Sequence, residues 1–369
     1  MPKSLILIPD ISGFTEFVNN TEITHSQHII SELLELLIKS DDLGLKVAEV
    51  EGDAILFIKE ESVPSLKDLI FQSKKMFLQF HSHLRQYDTQ RICNCGACSA
   101  ASGLSLKIIA HISELGFTVI NNTRKPFGPG LIKAHRLLKN SIGEHEYFLL
   151  SEAFSGEIGS LDSGSESWVK FSKGSSIYED LGEIHYHFIL LKGLKNNVDE
   201  VEPIQLVPND SNPLTFEGAI EQPADMVFEV ISNLDYRLMW SKGIKELRYD
   251  RDKINRAGMK HVCVFSGSKV EIETVKIDSE DNQLIYGERI HDAPIVRDIT
   301  FYYILEKQKD STKVRIQVYF NPPSLLGKVL LPFVRMNAKK ITKNNFSLLK
   351  EFCETESEII NILNNGSGS

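Results

Sequence analysis

The chain opens on a short unbroken apolar run, Ser4 to Ile8, which reads as a buried strand closed by Pro9 and Asp10. From Ser26 to Lys39 the pattern changes to a helical period, with apolar residues at Ile29, Ile30, Leu33, Leu34, Leu37 and Ile38. Lys46 to Val50 and Ala54 to Ile58 flank Glu51-Gly52-Asp53, a β-hairpin signature. A second helical period covers Ser65 to Leu84. Leu104 to Ile112 reads as a strand, with Leu115 to Ile120 as its expected partner. Gly130 to Asn140 reads as a helix, Tyr147 to Leu150 and Tyr186 to Leu191 as strands, and the Ser- and Gly-rich stretch 155–176 as a loop. The resulting β-α-β-β-α-β order with additions is a ferredoxin-like layout.

Between Asn196 and Asn212 the pattern breaks, and Pro203, Pro208 and Pro213 recur. The predicted organisation is a first domain at 1–200, a linker at 201–212, a second domain at 213–355 and a tail at 356–369. The second domain starts with a strand at Leu214 to Ile220 and a helix after Pro223-Ala224-Asp225. Strands are expected at 245–250, 260–266, 269–277, 283–290, 297–306 and 312–320, and a long helix from about Leu326 to Glu354. One early helix, a curved antiparallel sheet and a long closing helix make a helix-grip layout, α+β like the first half.

Composition narrows this picture. A length of 369 residues suits two domains, and 42% apolar with 25% charged residues is ordinary for a globular chain. The net charge of −9 argues against general nucleic-acid binding. The first strand is too short for a signal peptide, and no apolar run is long enough to span a bilayer, so a cytoplasmic location without a transmembrane segment is expected. Five cysteines, three of them clustered, do not form a disulfide framework.

Two aspartates carry the chemistry. Asp10 follows the first strand in Ile-Pro-Asp-Ile-Ser-Gly-Phe-Thr, and Asp53 sits at the hairpin tip in Glu-Gly-Asp-Ala-Ile-Leu. Carboxylates at the ends of neighbouring strands can hold divalent ions, the usual means of handling a nucleoside triphosphate. Each also has a plainer use, Asp10 as a helix N-cap and Gly52-Asp53 as a turn. These two motifs, with Phe-Gly-Pro-Gly-Leu-Ile-Lys-Ala-His-Arg-Leu (127–137) and Leu-Lys-Gly (191–193), resemble class III nucleotidyl cyclases, the adenylyl and guanylyl cyclases.

The resemblance implies Mg²⁺ or Mn²⁺ on Asp10 and Asp53 and phosphate oxygens on the backbone of Ile11, Ser12, Gly13 and Phe14. It implies GTP or ATP as partner, with Glu49 and Lys125 facing the base. Glu49 leans towards guanine, although it could also pair with Lys46 or Lys107. Arg136 and Lys192 would act on the phosphates as catalytic residues, and the active site would be completed in a homodimer. Ile132 stands where the family carries a ribose-binding asparagine, which argues against full cyclase activity. The alternative is an inactive homologue serving as a nucleotide or hydrophobic-ligand sensor, or as a dimerisation scaffold.

Cys93, Cys95 and Cys98 form C-x-C-x₂-C, a spacing that suits zinc, with His81, His83 or His111 as candidate fourth ligand. Reduced or redox-active thiols are the other reading. Residues 214–240, from Leu-Thr-Phe-Glu-Gly-Ala-Ile through Asp-Tyr-Arg-Leu-Met-Trp, resemble the opening of START-like domains. That resemblance implies a cavity for an apolar small molecule or lipid. Arg289, His291, Arg297 and Tyr302 are candidates to face inward, or else lie on the outer face. The closing helix carries apolar residues among Lys328, Arg335, Lys339, Lys340 and Lys343. It reads as a core-facing helix with a solvated rim, a composition that would also suit an anionic membrane.

Overall fold

The computed structural model describes residues 3–159, 166–202, 204, 206, 212–277, 282–291, 296–321 and 325–355. The predicted tail at 356–369 and much of the predicted linker lie outside them. The chain divides into two compact units. One comprises Met1–Thr21, Ser26–Asp88 and Gly96–Val201, and the other Glu22–His25, Thr89–Cys95 and Glu202–Ser369.

The first sheet begins with β1 (Lys3–Ser12), followed by α1 (Phe14–Asn20) and α2 (Ile23–Lys39). Next come β2 (Lys46–Glu51), β3 (Ala54–Lys59), α3 (Leu66–Thr89), α4 (Gly96–Ala100) and β4 (Ser105–Glu114). The β5 (Gly116–Ile120) and β6 (Thr123–Phe127) hairpin, α5 (Pro129–Leu137), β7 (Tyr147–Ser151), α6 (Ser155–Gly159), β8 (Phe171–Tyr178) and β9 (Gly182–Leu190) complete the unit. The sheet order is β2-β3-β1-β4-β7-β9-β8. Its first four strands pair antiparallel, the arrangement of a β-α-β-β-α-β core, and β7 joins in parallel to extend it. Leu5, Ile6, Leu7 and Ile8 are fully buried, as the unbroken apolar run requires.

Two expectations are corrected here. β5 pairs with β6 rather than with β4. Positive φ at Asn121 and Asn122, 49° and 60°, lets the chain reverse at that hairpin's tip. The stretch read as a loop contains β8, which pairs with β9 along its whole length. Gly174 lies within it, and a Cβ there would stand 2.6 Å from the Tyr186 ring. The glycine makes room for that aromatic within the strand.

The second unit holds β10 (Leu214–Ile220), α7 (Ala224–Ser232), α8 (Arg237–Trp240), β11 (Glu246–Arg248), β12 (Lys260–Phe265) and β13 (Ser268–Val275). β14 (Gln283–His291), β15 (Asp298–Lys307), β16 (Thr312–Asn321) and α9 (Leu325–Thr355) follow. All strands are antiparallel in the order β10-β16-β15-β14-β13-β12-β11. The inner face contributes Tyr286, Tyr303, Leu305, Ile316, Val318 and Phe320 to one core with Val227 and Ile231 of α7 and Phe346, Leu349 and Cys353 of α9. Trp240 is buried, and its indole donates to the Val230 carbonyl at 3.1 Å. Both units are mixed α+β.

Candidate functional site

Asp10 lies within β1, and Gly13, at φ 90°, caps α1 without a side-chain hydrogen bond. Asp10 is therefore no helix cap. Its cross-strand partners are Ala54 on β3 and Lys107 on β4. The Ile11 N–H donates to the Asp53 carbonyl at 3.0 Å, which ties the hairpin tip to the end of β1 and brings the two aspartates together. Burial raises the pKa of both. The Lys107 charge opposes that rise in both, and the Asp53 charge adds to it in Asp10. Lys107 Nζ stands 3.2 Å from Asp10 Oδ1.

Lys107 decides what this pair can hold. Two carboxylates already share one ammonium. Two divalent ions beside that ammonium would leave an excess of positive charge that only the anionic phosphates of a bound nucleotide could offset. Without such phosphates the charges of these residues suit one cation rather than two. The Ile11 N–H is also spent on Asp53, so it is not available to a phosphate.

The other predicted residues divide between pairs. Glu49 and Lys125 meet in an ion pair, which holds the Glu49 carboxyl below its usual range. Arg136 donates through Nε and Nη2 to Asp180 Oδ2 at 3.0 and 2.8 Å. Lys192 is exposed at the end of β9. Ile132 on α5 is 52% exposed and offers no polar atom. The Ser12 hydroxyl sits 3.5 Å from the His145 carbonyl.

The cysteine run gains a ligand the sequence did not nominate. His25, Cys93, Cys95 and Cys98 place their ligand atoms within 4.8 Å of one another. His25 Nδ1 lies 3.1 Å from Cys95 Sγ and 3.8 Å from Cys93 Sγ. Tetrahedral zinc with ordinary bond lengths would set such edges at roughly 3.6–3.8 Å. Cys98 follows Cys95 by one short turn, so its approach is set by the local chain. The other ring nitrogen, Nε2, stands 3.7 Å from Glu229 Oε2. A carboxylate behind a histidine is how metal-binding imidazoles are commonly oriented. Burial disfavours charge on His25, but contacts with Cys93 and Cys95 and the Glu229 charge outweigh it and hold the ring's pKa up at about 11.

The three histidines expected as fourth ligand are engaged elsewhere. His81 faces Glu146 at 3.2 Å, His83 meets Glu32 at 2.7 Å, and His111 contacts the Ser151 hydroxyl at 2.8 Å.

The second unit contains a polar group that the sequence reading missed. Its register puts Arg289 opposite Glu273 and Thr300, and Tyr302 opposite Gly287, on the face away from the core. Arg289 pairs with Asp298 at 3.1 Å, His291 meets Glu273 at 2.6 Å, and Arg297 is exposed. The inner face instead carries His261, Tyr286 and Glu288. Arg237 of α8 forms a buried ion pair with Glu288 and lies 4.5 Å over the Trp240 ring. Tyr286 donates to Glu288 at 2.8 Å. Among the described residues, Arg237 Nε and both ring nitrogens of His261 are buried without a hydrogen-bond partner. Buried polar atoms left unpaired cost stability unless something satisfies them.

These histidines predict an acid-sensitive fold. Burial, aided by the Arg237 charge, pushes the His261 pKa down to about 3. Burial and the Lys133 charge push His111 down to about 4. Both rings stay neutral in the folded chain and would protonate near pH 6.5 when unfolded. The unfolded state then binds more protons, so the contribution of these two rings is full above pH 6.5 and falls as pH drops towards about 4. Raised pKa values at Asp10 and Asp53 act in the opposite sense at the acid end of that window. Urea titrations at pH 7 and pH 5 should differ, and His261→Gln should flatten the slope by about one proton, roughly 1.4 kcal/mol per pH unit. An unchanged slope would mean that His261 is not buried neutral.

Comparison with known proteins adds little direct chemistry. A family described as a protein of unknown function (DUF2652) matches residues 30–147. An uncharacterized protein of Mycobacterium tuberculosis, Rv2561/Rv2562, is 27% identical over 161 residues, covering 43% of this chain and 72% of that protein. The guanylate cyclase domain of RhGC from Catenaria anguillulae, solved with GTP, is similar at 15% identity and a TM-score of 0.35, covering 51% of this chain and 96% of that one. Norcoclaurine synthase from Thalictrum flavum is similar at 12% identity and a TM-score of 0.32, covering 40% of this chain and 97% of that one. At such scores the fold description rests on the strand orders above. No helix among the described residues is long and apolar enough to cross a membrane.

Proposed function

We propose that this protein is a ligand-responsive signalling scaffold rather than a working cyclase. Its cyclase-like domain associates with a nucleotide or a single divalent cation without turnover. Its START-like domain is the receptor for an apolar small molecule that carries a polar handle. The observation that carries this reading is Lys107, whose ammonium sits 3.2 Å from Asp10 and shares the charge of the aspartate pair. The exposed Ile132 and the engagement of Arg136 by Asp180 point the same way. The β2–β3 and β5–β6 hairpins, tied by Glu49–Lys125 and Glu60–Arg124, expose Val47, Val50, Val119, Ile120 and Phe127. That apolar surface supports the dimerisation role.

The test is a thermal-shift series with GTP and ATP, with and without Mn²⁺, alongside an assay for cyclic product. Stabilisation by a nucleotide without product is the expected result, and Asp53→Ala should abolish the stabilisation. Product formation that is lost in Asp53→Ala would overturn the reading.

The metal assigned to His25, Cys93, Cys95 and Cys98 is Zn²⁺. Three thiolates with one imidazole, close to tetrahedral edges and backed by Glu229, suit a soft, closed structural site. Mg²⁺ and Mn²⁺ prefer oxygen ligands.

A further inference from the structure

The geometry points to a docking surface for an anionic lipid bilayer on the first part of α9. This helix buries Thr342, Phe346, Leu349 and Cys353 against the second unit's core. Among the described residues, its opposite face packs against no core. Val329, Phe333 and Met336 are 70%, 64% and 64% exposed. They are spaced i, i+4 and i+7, so they form one stripe, which Lys340 and Lys343 continue along the helix. α8 packs beside α9 and exposes Leu238 and Met239. A core-facing helix with a solvated rim does not account for three large apolar side chains in water.

Charge identifies the occupant. Residues 325–350 of α9 carry six basic residues, Lys328, Arg335, Lys339, Lys340, Lys343 and Lys350, and no acidic one before Glu351. The whole chain has a net charge of −9, so this segregation runs against the protein's overall balance. Basic groups beside exposed Val, Phe and Met suit a headgroup layer above acyl chains. A nucleic acid would use the lysines but would leave the apolar stripe wet. A second copy, docked by a two-fold axis, would set the same lysines against one another. The surface is interfacial, since no described helix can cross a bilayer. This inference stands apart from the nucleotide and receptor readings, and either can fail without the other.

Vesicle flotation of the full chain tests it, using phosphatidylcholine vesicles with and without phosphatidylglycerol. Binding is expected only with the anionic lipid and should fall steeply with added salt. Phe333→Asp should weaken it at least about tenfold, and the triple variant Lys339→Gln/Lys340→Gln/Lys343→Gln by roughly 100-fold. The substituted side chains are exposed, so both variants should melt within a few degrees of the parent. Failure of the parent to float with anionic vesicles overturns the proposal, as does flotation unaffected by both variants. A parent dimer that Phe333→Asp converts to monomer, without vesicle binding, would make the stripe a self-association surface instead.

Discussion

Purified protein is expected to carry about one equivalent of Zn²⁺, and removing it should lower the melting temperature by on the order of 10 °C. The reason is the company the sulfurs keep. Cys93, Cys95 and Cys98 crowd around one imidazole, with Glu229 behind it. Without a cation, those thiols must either stay protonated or share the single charge of His25. A zinc ion would supply two positive charges at the centre and tie Cys93 and Cys95 to Cys98 of α4 and to His25. Cys95→Ala should lower the metal content and the melting temperature together. His25→Ala should do the same, which would separate the four-ligand site from a three-cysteine one. Elemental analysis and a melting curve before and after chelation measure this. Protein that is free of metal, and that Zn²⁺ does not stabilise, would return the cluster to ordinary reduced thiols.

What the amino-acid pattern reveals here is local. The C-x-C-x₂-C run is visible because its three ligands lie within six residues. His25 was not, because α2 brings it in from far along the chain. Lys107 was hidden for a similar reason. It looks like one polar residue in an apolar strand until the β1–β4 register sets it opposite Asp10. The apolar strands and amphipathic helices were legible, since their periods follow from which face is buried. The β8 strand was not, because Ser, Lys and Gly dominate it and its glycine answers to Tyr186 across the ladder. The side of the sheet taken by Arg289, His291 and Tyr302 stayed open for want of register, and the register puts them on the outer face. A shift of one residue exchanges the two faces of a strand.

The same register leads to the largest single-residue effect expected in the second unit. Glu288→Ala should cost about 3–5 kcal/mol in urea denaturation, because it leaves the Arg237 guanidinium buried without its counter-charge. Glu288→Gln should cost less, since an amide oxygen can still accept from Arg237 and Tyr286. The double variant Arg237→Met/Glu288→Leu should recover most of the loss and unfold near the parent's midpoint. Replacing a whole buried pair with apolar side chains removes both desolvation costs along with the attraction. If the double variant is as stable as the parent, the fold does not need the pair. On the proposed receptor reading, the buried ion pair beside His261, with unpaired nitrogens on Arg237 and His261, then serves recognition. An acceptor on the ligand can meet Arg237 Nε, and a hydroxyl can meet one nitrogen of His261, as donor or as acceptor according to the tautomer. Organic extracts of the purified parent should therefore yield a hydroxylated or carboxylated apolar molecule by mass spectrometry, and extracts of the folded double variant should lack it. The same molecule recovered equally from both would assign the pair to packing alone.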